Sequence, residues 1–251
     1  MRARAIVLAG ILAAGLAVPT TGASARTPRI LFYEPSLTEQ RPLNEADIAQ
    51  LAGYEIRIAD EDRWRAMTTE EFSAFDAIVV GDPNCGGDHY GGVDYMEPIR
   101  ETRDSWSPAV TGQVILIAMD PMFHQRKDGA VILTENALDW AVSGDSTGMY
   151  FSLSCYYVDT RGGTRIKELT GLGEFEVRGQ GRRPFPNCPN DIRVSPSGVG
   201  HPAMEGLTAE LLSNWNCSAH EAFDSYPEGW VKLAGEVKSR KAIVIARDDA
   251  I

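Results

Sequence analysis

The sequence predicts an α/β protein with a mostly parallel central sheet, and two observations carry this prediction. Three apolar runs, at residues 30–35, 77–83 and 114–121, each close with an acidic residue followed by proline. Apolar runs without alternation are typical of strands buried on both faces, as in parallel sheets covered by helices. Helix signals between the runs give the order of parallel βα units. Because proline cannot donate to a sheet ladder, the acids are expected along one carboxyl edge, where open α/β folds place ligands.

Local signals in the first half predict further elements in order. Asn44 is a candidate N-cap for a helix that Gly53 ends. The segment 54–60 alternates between polar and apolar residues, which indicates a more exposed strand. Thr68 and Glu71 form a capping-box pattern that predicts the start of a second helix.

The pattern changes after the middle of the chain. Residues 131–142 predict a third helix, which Gly144 ends, and residues 149–157 predict the buried strand that follows. Glycine and proline then interrupt short strand-like pieces after Asp159. We expect an antiparallel, β-rich elaboration of the main sheet here, because no linker precedes this part. Its strand-like segments are residues 174–177, 230–234 and 241–247.

The amino terminus predicts export. Residues 1–25 combine two arginines, an apolar stretch and the small-residue sequence Ala-Ser-Ala, which is the pattern of a cleaved signal peptide. Residues 26–251 are then a single domain, secreted or periplasmic, that no longer contacts a membrane. The formal net charge of the full chain is −11, and the signal segment contains no acid. So negative a chain repels phosphate backbones, and we do not expect nucleic acid as a partner.

Four cysteines in an exported chain predict disulfide bonds. Their wide spacing contains no C-x-x-C motif, which disfavours a zinc ribbon. The first choice of pair is Cys188 with Cys217, because both lie in the loop-rich third. Cys85 and Cys155 then form a second bond or stay free.

The order of elements, together with His-Pro-Ala-Met-Glu-Gly-Leu at residues 201–207, resembles the class I glutamine amidotransferase-like superfamily, in particular its trehalose-utilisation-protein-like branch. The resemblance implies a three-layer, flavodoxin-like fold. Catalytic members carry a cysteine in a Gly-x-Cys-x-Gly turn and a later His-x-Glu pair. Here the run at 114–119 continues Asp-Pro-Met-Phe-His, and His220 is directly followed by Glu221. The resemblance therefore implies the fold without amidotransferase activity.

Asp120 and His124 are the first candidates for chemistry. If a helical turn begins at Pro121, His124 lies about one turn on and approaches the carboxylate. An imidazole oriented by aspartate acts as a general base or a metal ligand. The alternative is that Asp120 caps the turn and His124 bonds the backbone.

Cys155 is a second candidate, because it is the only thiol at the end of a predicted core strand. Paired with His201 or His220, it would permit acyl transfer. A disulfide or a buried core position is the alternative, since exported thiols usually oxidise. Of the histidines, His201 is the one that the resemblance places near the carboxyl edge.

The segment 82–94 is rich in oxygen donors and glycine. It lacks the order of an EF-hand calcium loop, so a polar site rim or a surface loop is the favoured interpretation. With the acid that ends the first run and one histidine of the C-terminal third, its polar residues form the predicted ligand-binding set: Glu34, Asp82, Asn84, Asp88, His89 and His220.

Together these features predict an exported domain that binds a small polar ligand, such as a carbohydrate, or a protein partner. No cofactor and no defined metal site are expected, because no histidine pair has helical i, i+4 spacing. Two alternatives remain open. One is a hydrolase that uses Asp120, His124 and His201, with or without a metal ion, and the other is an acyl-transfer enzyme that uses Cys155.

Overall fold

The computed structural model describes residues 26–37, 42–81, 94–180 and 191–248. The predicted signal segment lies outside these ranges. So do six of the residues singled out above: Asp82, Asn84, Cys85, Asp88, His89 and Cys188.

In the described part of the chain, eleven strands form one sheet. They are β1 (Arg29–Tyr33), β2 (Glu55–Ala59), β3 (Ala77–Val80), β4 (Val114–Ile117), β5 (Gly148–Ser152), β6 (Thr164–Arg165), β7 (Glu176–Gly179), β8 (Ile192–Val194), β9 (Glu221–Ser225), β10 (Val231–Glu236) and β11 (Ala242–Arg247). The main path runs β2-β1-β3-β5-β4-β11-β9-β7-β6, and β10 pairs with β11 and β8. The pairings within β2-β1-β3-β5-β4 are all parallel, which confirms the predicted parallel half.

Seven α-helices accompany the sheet in the described residues: α1 (Glu45–Leu51), α2 (Glu61–Ala66), α3 (Thr69–Phe72), α4 (Glu97–Glu101), α5 (Arg103–Trp106), α6 (Asp128–Ala141) and α7 (Ala209–Ser213). They fall into two groups whose members contact one another, one of α1, α6 and α7 and one of α2 to α5. Every residue of β3, β4 and β5 is buried, which requires cover on both faces of the sheet.

The helix-start signals in the first half are confirmed. The Asn44 side chain accepts backbone hydrogen bonds at the start of α1, and the Asp47 side chain accepts one from the Asn44 N–H. Thr68 and Glu71 form the predicted capping box at α3. Gly53 adopts a φ of 90°, the left-handed backbone that lets the chain leave α1 and enter β2.

Two predicted boundaries differ from the structure. Helix α6 begins at Asp128, three residues before the predicted start, because Lys127 with its extended backbone is the N-cap. Strand β5 ends at Ser152, well before residue 157. The Tyr156 N–H bonds the Leu153 carbonyl, and Ser154 has a φ of 52°, so the chain turns instead of continuing the strand. Helices α2, α4, α5 and α7 were not predicted from the sequence.

The C-terminal elaboration joins the main sheet as predicted. Strand β11 pairs antiparallel with β4, with Leu116 opposite Ile245. Strands β9 and β7 continue outward with antiparallel pairing. One hydrophobic cluster includes Phe32 of the parallel half and Ile245 of the elaboration, so both halves share a core.

Asp224 connects the outer strands of this elaboration through hydrogen bonds and an ion pair. Its carboxylate lies on β9 and accepts hydrogen bonds from Arg178 of β7 at 2.8 Å and from the Gly163 N–H at 2.8 Å. Lys241, which precedes β11, lies 2.9 Å from the same group. Burial alone would raise the pKa of Asp224, but these donors outweigh it and hold the pKa at about 2, against an ordinary 3.8.

We expect Asp224→Asn to lower the free energy of unfolding by on the order of 2 kcal/mol at neutral pH, because a depressed carboxyl pKa is stabilising above its unfolded value. The stabilisation is lost as the pH falls from about 4 towards 2, as the native carboxylate takes up its proton. Urea unfolding of wild type and variant across this range measures the effect. Asp104→Asn, at a side chain that is 88% exposed, is the control and should change little. A difference that stays constant with pH would contradict the assignment.

Candidate functional site

The site is centred on Asp120, three residues beyond β4 and fully buried. The chain turns at once after it. The His124 N–H contacts the Asp120 carbonyl at 3.3 Å and the Pro121 carbonyl at 2.9 Å, which brings the imidazole back over the carboxylate. His124 Nε2 lies 3.4 Å from Asp120 Oδ1. The predicted approach of these two side chains is therefore confirmed.

A third side chain joins them from a distant part of the chain. His220 immediately precedes β9, and its Nε2 lies 3.0 Å from Asp120 Oδ2. Its own carbonyl accepts a hydrogen bond from the Gln180 N–H at 2.8 Å, which holds the backbone at this point. The sequence placed His220 in a ligand-binding set but gave no sign that it faces Asp120.

We call Asp120, His124 and His220 the carboxylate–imidazole cluster. One donor atom from each lies within 4.8 Å of the others, and no other group of three or more His, Cys, Asp or Glu side chains in the described ranges does so. The side chains are 0%, 13% and 4% exposed, respectively, so His124 is the member closest to solvent.

Aromatic rings surround the outer imidazole. The Phe123 ring centre lies 5.1 Å from that of His124, and the ring of Trp215, which is fully buried, lies 5.7 Å away. Rings exclude water, and charges interact more strongly where water is excluded. The surroundings of the cluster therefore have a low dielectric constant, and His124 is its most exposed member.

Asp120 is held in its ionised form. Burial alone would raise the pKa of this carboxyl group, but the His220 charge and hydrogen bonds from His124 and His220 outweigh it, so the pKa lies below its usual range. A buried carboxylate is costly unless it is paired and hydrogen-bonded. The two imidazoles supply that compensation.

A neighbouring contact fixes the turn that carries His124. Gln125 Oε1 accepts the Leu43 N–H at 2.9 Å, and Gln125 Nε2 donates to the Leu43 carbonyl at 3.0 Å. This pair of hydrogen bonds ties the turn to the segment before α1. The backbone that carries the His124 imidazole is therefore held in place.

Glu221 does not join the cluster. Its Oε1 accepts the Tyr157 N–H at 2.7 Å, in a fully buried position. Adjacent residues entering a strand point to opposite faces, as expected from the His220–Glu221 sequence. Tyr157 in turn hydrogen-bonds Glu168, which pairs with Arg100 at 2.6 Å. Polar contacts thus link Glu221, Tyr157, Glu168 and Arg100 in one network.

His201, the histidine that the sequence favoured, has a structural contact instead. Its Nδ1 accepts the Ala203 N–H at 3.1 Å and so caps the short turn Pro202–Met204. Its ring centre lies 4.4 Å from that of Trp140 in α6. Burial lowers the pKa of His201, which favours the neutral ring. Among the described histidines, the structure brings His124 and His220 to the Asp120 carboxylate.

The acyl-transfer prediction for Cys155 also needs correction. Cys155 and Cys217 are both disulfide-bonded, and neither is a free thiol. A sulfur in a disulfide carries no thiolate and cannot attack a carbonyl group. The pairings with Cys85 and Cys188 involve residues outside the described ranges and stay predictions.

Glu34 shares the carboxyl edge but lies apart from the cluster. It follows β1 and is exposed. Three strand spacings separate β1 from β4, or roughly 14 Å across the sheet. The four other members of the predicted ligand-binding set, besides His220, lie outside the described residues.

Comparison of the chain with family models, curated proteins and solved structures found no match. The fold and the site together define a mixed α/β protein whose largely parallel sheet, extended by antiparallel strands, presents a buried carboxylate–imidazole cluster. Among the described residues, no helix is both long and apolar enough to span a bilayer.

We expect strong energetic coupling within the cluster. His220→Ala leaves a buried carboxylate with one partner fewer and should cost about 3–5 kcal/mol of unfolding free energy. Asp120→Asn removes the charge that His220 compensates, so the double variant should lose less than the sum of the two single losses. Urea unfolding of the four proteins measures this cycle. Additive losses would show that the two side chains do not interact.

Proposed function

We propose that the protein is an exported hydrolase whose reaction takes place at Asp120, His124 and His220. The observation that carries the proposal is an ionised, fully buried carboxylate with the Nε2 atoms of two histidines at 3.0 and 3.4 Å. Hydrolysis needs an activated water molecule. Imidazoles and carboxylates activate water either as general bases or as metal ligands.

The position of the cluster supports this function. Open α/β sheets bind ligands beyond the carboxyl ends of their parallel strands, and Asp120 lies just beyond the end of β4. His124 is the most exposed member, so a substrate approaches from its side. The half-buried Phe123 ring beside it offers an apolar contact for the group that flanks the scissile bond.

The scaffold in this proposal is flavodoxin-like and similar to the class I glutamine amidotransferase-like superfamily. The five parallel strands, the two helix groups and the segment 201–207 support it. The strand end at residues 118–124, where the resemblance implies a catalytic cysteine, contains none, so a thioester route is not proposed. Residues 1–25 and the oxidised state of Cys155 and Cys217 support a secreted or periplasmic location.

A second candidate is binding of a small polar ligand, such as a carbohydrate, without catalysis. Tyr156 Oη donates to Asp94 at 2.8 Å and accepts from Arg100 at 2.9 Å, and the ring of Tyr95 lies 5.5 Å from that of Tyr156. Aromatic rings beside fixed charged groups are the surfaces that hold polar rings in ligand sites. In this alternative the carboxylate–imidazole cluster is a structural element only.

We expect the purified mature protein to hydrolyse at least one substrate class in a panel of p-nitrophenyl carboxylic esters, phosphate esters and anilides. Asp120→Asn, His124→Ala and His220→Ala should each lower kcat/KM by about 100-fold or more, as losses of general-base function do. Steady-state kinetics measure this.

His201→Ala is the matched control, because it removes an imidazole outside the cluster. It should leave kcat/KM within about threefold of wild type. Absence of turnover with every class, or equal rates in wild type and the three cluster variants, would contradict the hydrolase and favour the binding function.

A further inference from the structure

We propose that Asp120, His124 and His220 bind one divalent metal ion of the zinc class, with a coordination position left for water. The inference rests on the cluster assigned in the proposed function and specifies how that cluster works. It is based on three features: the spacing of the donor atoms, their chemical type, and the hydrogen bonds that fix the backbone of the two histidines.

The spacing fits a tetrahedral ion. Zinc lies at about 2.0–2.2 Å from imidazole nitrogen and carboxylate oxygen, so two ligands of one tetrahedral ion are roughly 3.3–3.5 Å apart. His220 Nε2 lies 3.0 Å from Asp120 Oδ2, His124 Nε2 lies 3.4 Å from Asp120 Oδ1, and one donor atom from each of the three side chains lies within 4.8 Å of the others. The widest of these separations is at most 4.8 Å, so side-chain shifts on the order of 1 Å bring the three donors to one ion.

The chemical type of the donors selects among metals. Two imidazole nitrogens with one carboxylate oxygen suit zinc, whereas calcium and magnesium require mainly oxygen ligands. The same donor set also binds ferrous iron. We commit to zinc because Cys155 and Cys217 are oxidised, and a metal without redox chemistry is compatible with that environment.

Hydrogen bonds fix the backbone that carries both histidines. Gln125 bonds the Leu43 backbone and fixes the turn of His124, and the Gln180 N–H holds the carbonyl of His220. These bonds hold in place the two backbone segments from which the imidazoles extend. The described residues supply three ligands, which is the number in catalytic zinc sites, while structural sites have four.

Cys217 provides a reason why the fourth position stays open. Its Sγ lies 3.7 Å from His220 Nε2 and 3.8 Å from Nδ1. As a disulfide it does not bind zinc as a thiolate does.

Reduction of this disulfide should change the coordination. When a trialkylphosphine reduces the bond, two electrons pass from phosphorus to the sulfurs and water supplies the oxide oxygen and both protons. The released Cys217 thiol can then give up its proton to the buffer and become the fourth ligand.

The test uses the oxidised mature protein, stripped of metal by dialysis against a chelator and titrated with Zn²⁺ or Co²⁺ alone. We expect one ion per chain by calorimetry, and a rise in Tm with Zn²⁺, since an ion that binds only the native state stabilises it. Asp120→Asn and His220→Ala should weaken binding by at least about 100-fold, because each removes a ligand. His201→Ala should bind within about threefold of wild type.

Two further measurements distinguish the loss of a metal ligand from misfolding of a variant. His124→Gln changes the most exposed ligand and should fold while losing affinity, which circular dichroism and calorimetry check together. The near-ultraviolet and visible absorption spectrum of the Co²⁺ protein reports coordination directly. It should gain a thiolate-to-cobalt charge-transfer band after phosphine reduction in wild type but not in Cys217→Ser.

The outcomes separate this inference from the proposed function. Zinc binding without hydrolysis would keep the metal site and remove the hydrolase. Hydrolysis that persists in chelator, by a protein that binds no ion, would keep the hydrolase and overturn the metal site. Equal Zn²⁺ affinity in wild type, Asp120→Asn and His220→Ala would overturn the inference, and absence of the cobalt band on reduction would refute the role of Cys217.

Discussion

The site depends on one electrostatic constraint, the burial of the Asp120 carboxylate. A fully desolvated anion needs nearby donors, and here the donors are imidazoles from a turn just after β4 and from the segment that enters β9. The carboxylate therefore ties the parallel half of the sheet to the antiparallel half. The same buried charge therefore stabilises the fold and holds the two imidazoles that form the cluster.

The local parts of this arrangement could be predicted from the sequence. Apolar runs identified β1, β3 and β4, and the capping signals at Asn44 and Thr68 located two helices, because these patterns depend on neighbours in the chain. The approach of His124 to Asp120 was predictable for the same reason, since four residues and one turn separate them.

The non-local parts could not be predicted. His220 is a hundred residues from Asp120, and their contact depends on how β11 and β9 add beside β4 and on β5 lying between β3 and β4. No local pattern encodes strand order. His201 was favoured because the family resemblance places its His-Pro segment near the carboxyl edge, but a residue before a turn also caps it, and capping is the role that the structure shows. Glu34 shares the edge with Asp120, yet a common edge is wide enough to keep two acids apart.

The central claim is that both imidazoles face the Asp120 carboxylate through Nε2. Nitrogen-detected NMR of the histidine rings tests it most directly, because the shifts of the two ring nitrogens report which one carries or shares a proton. We predict that Asp120→Asn moves the Nε2 signals of His124 and His220 and leaves those of His201 in place. Unchanged His220 signals in that variant would contradict the account.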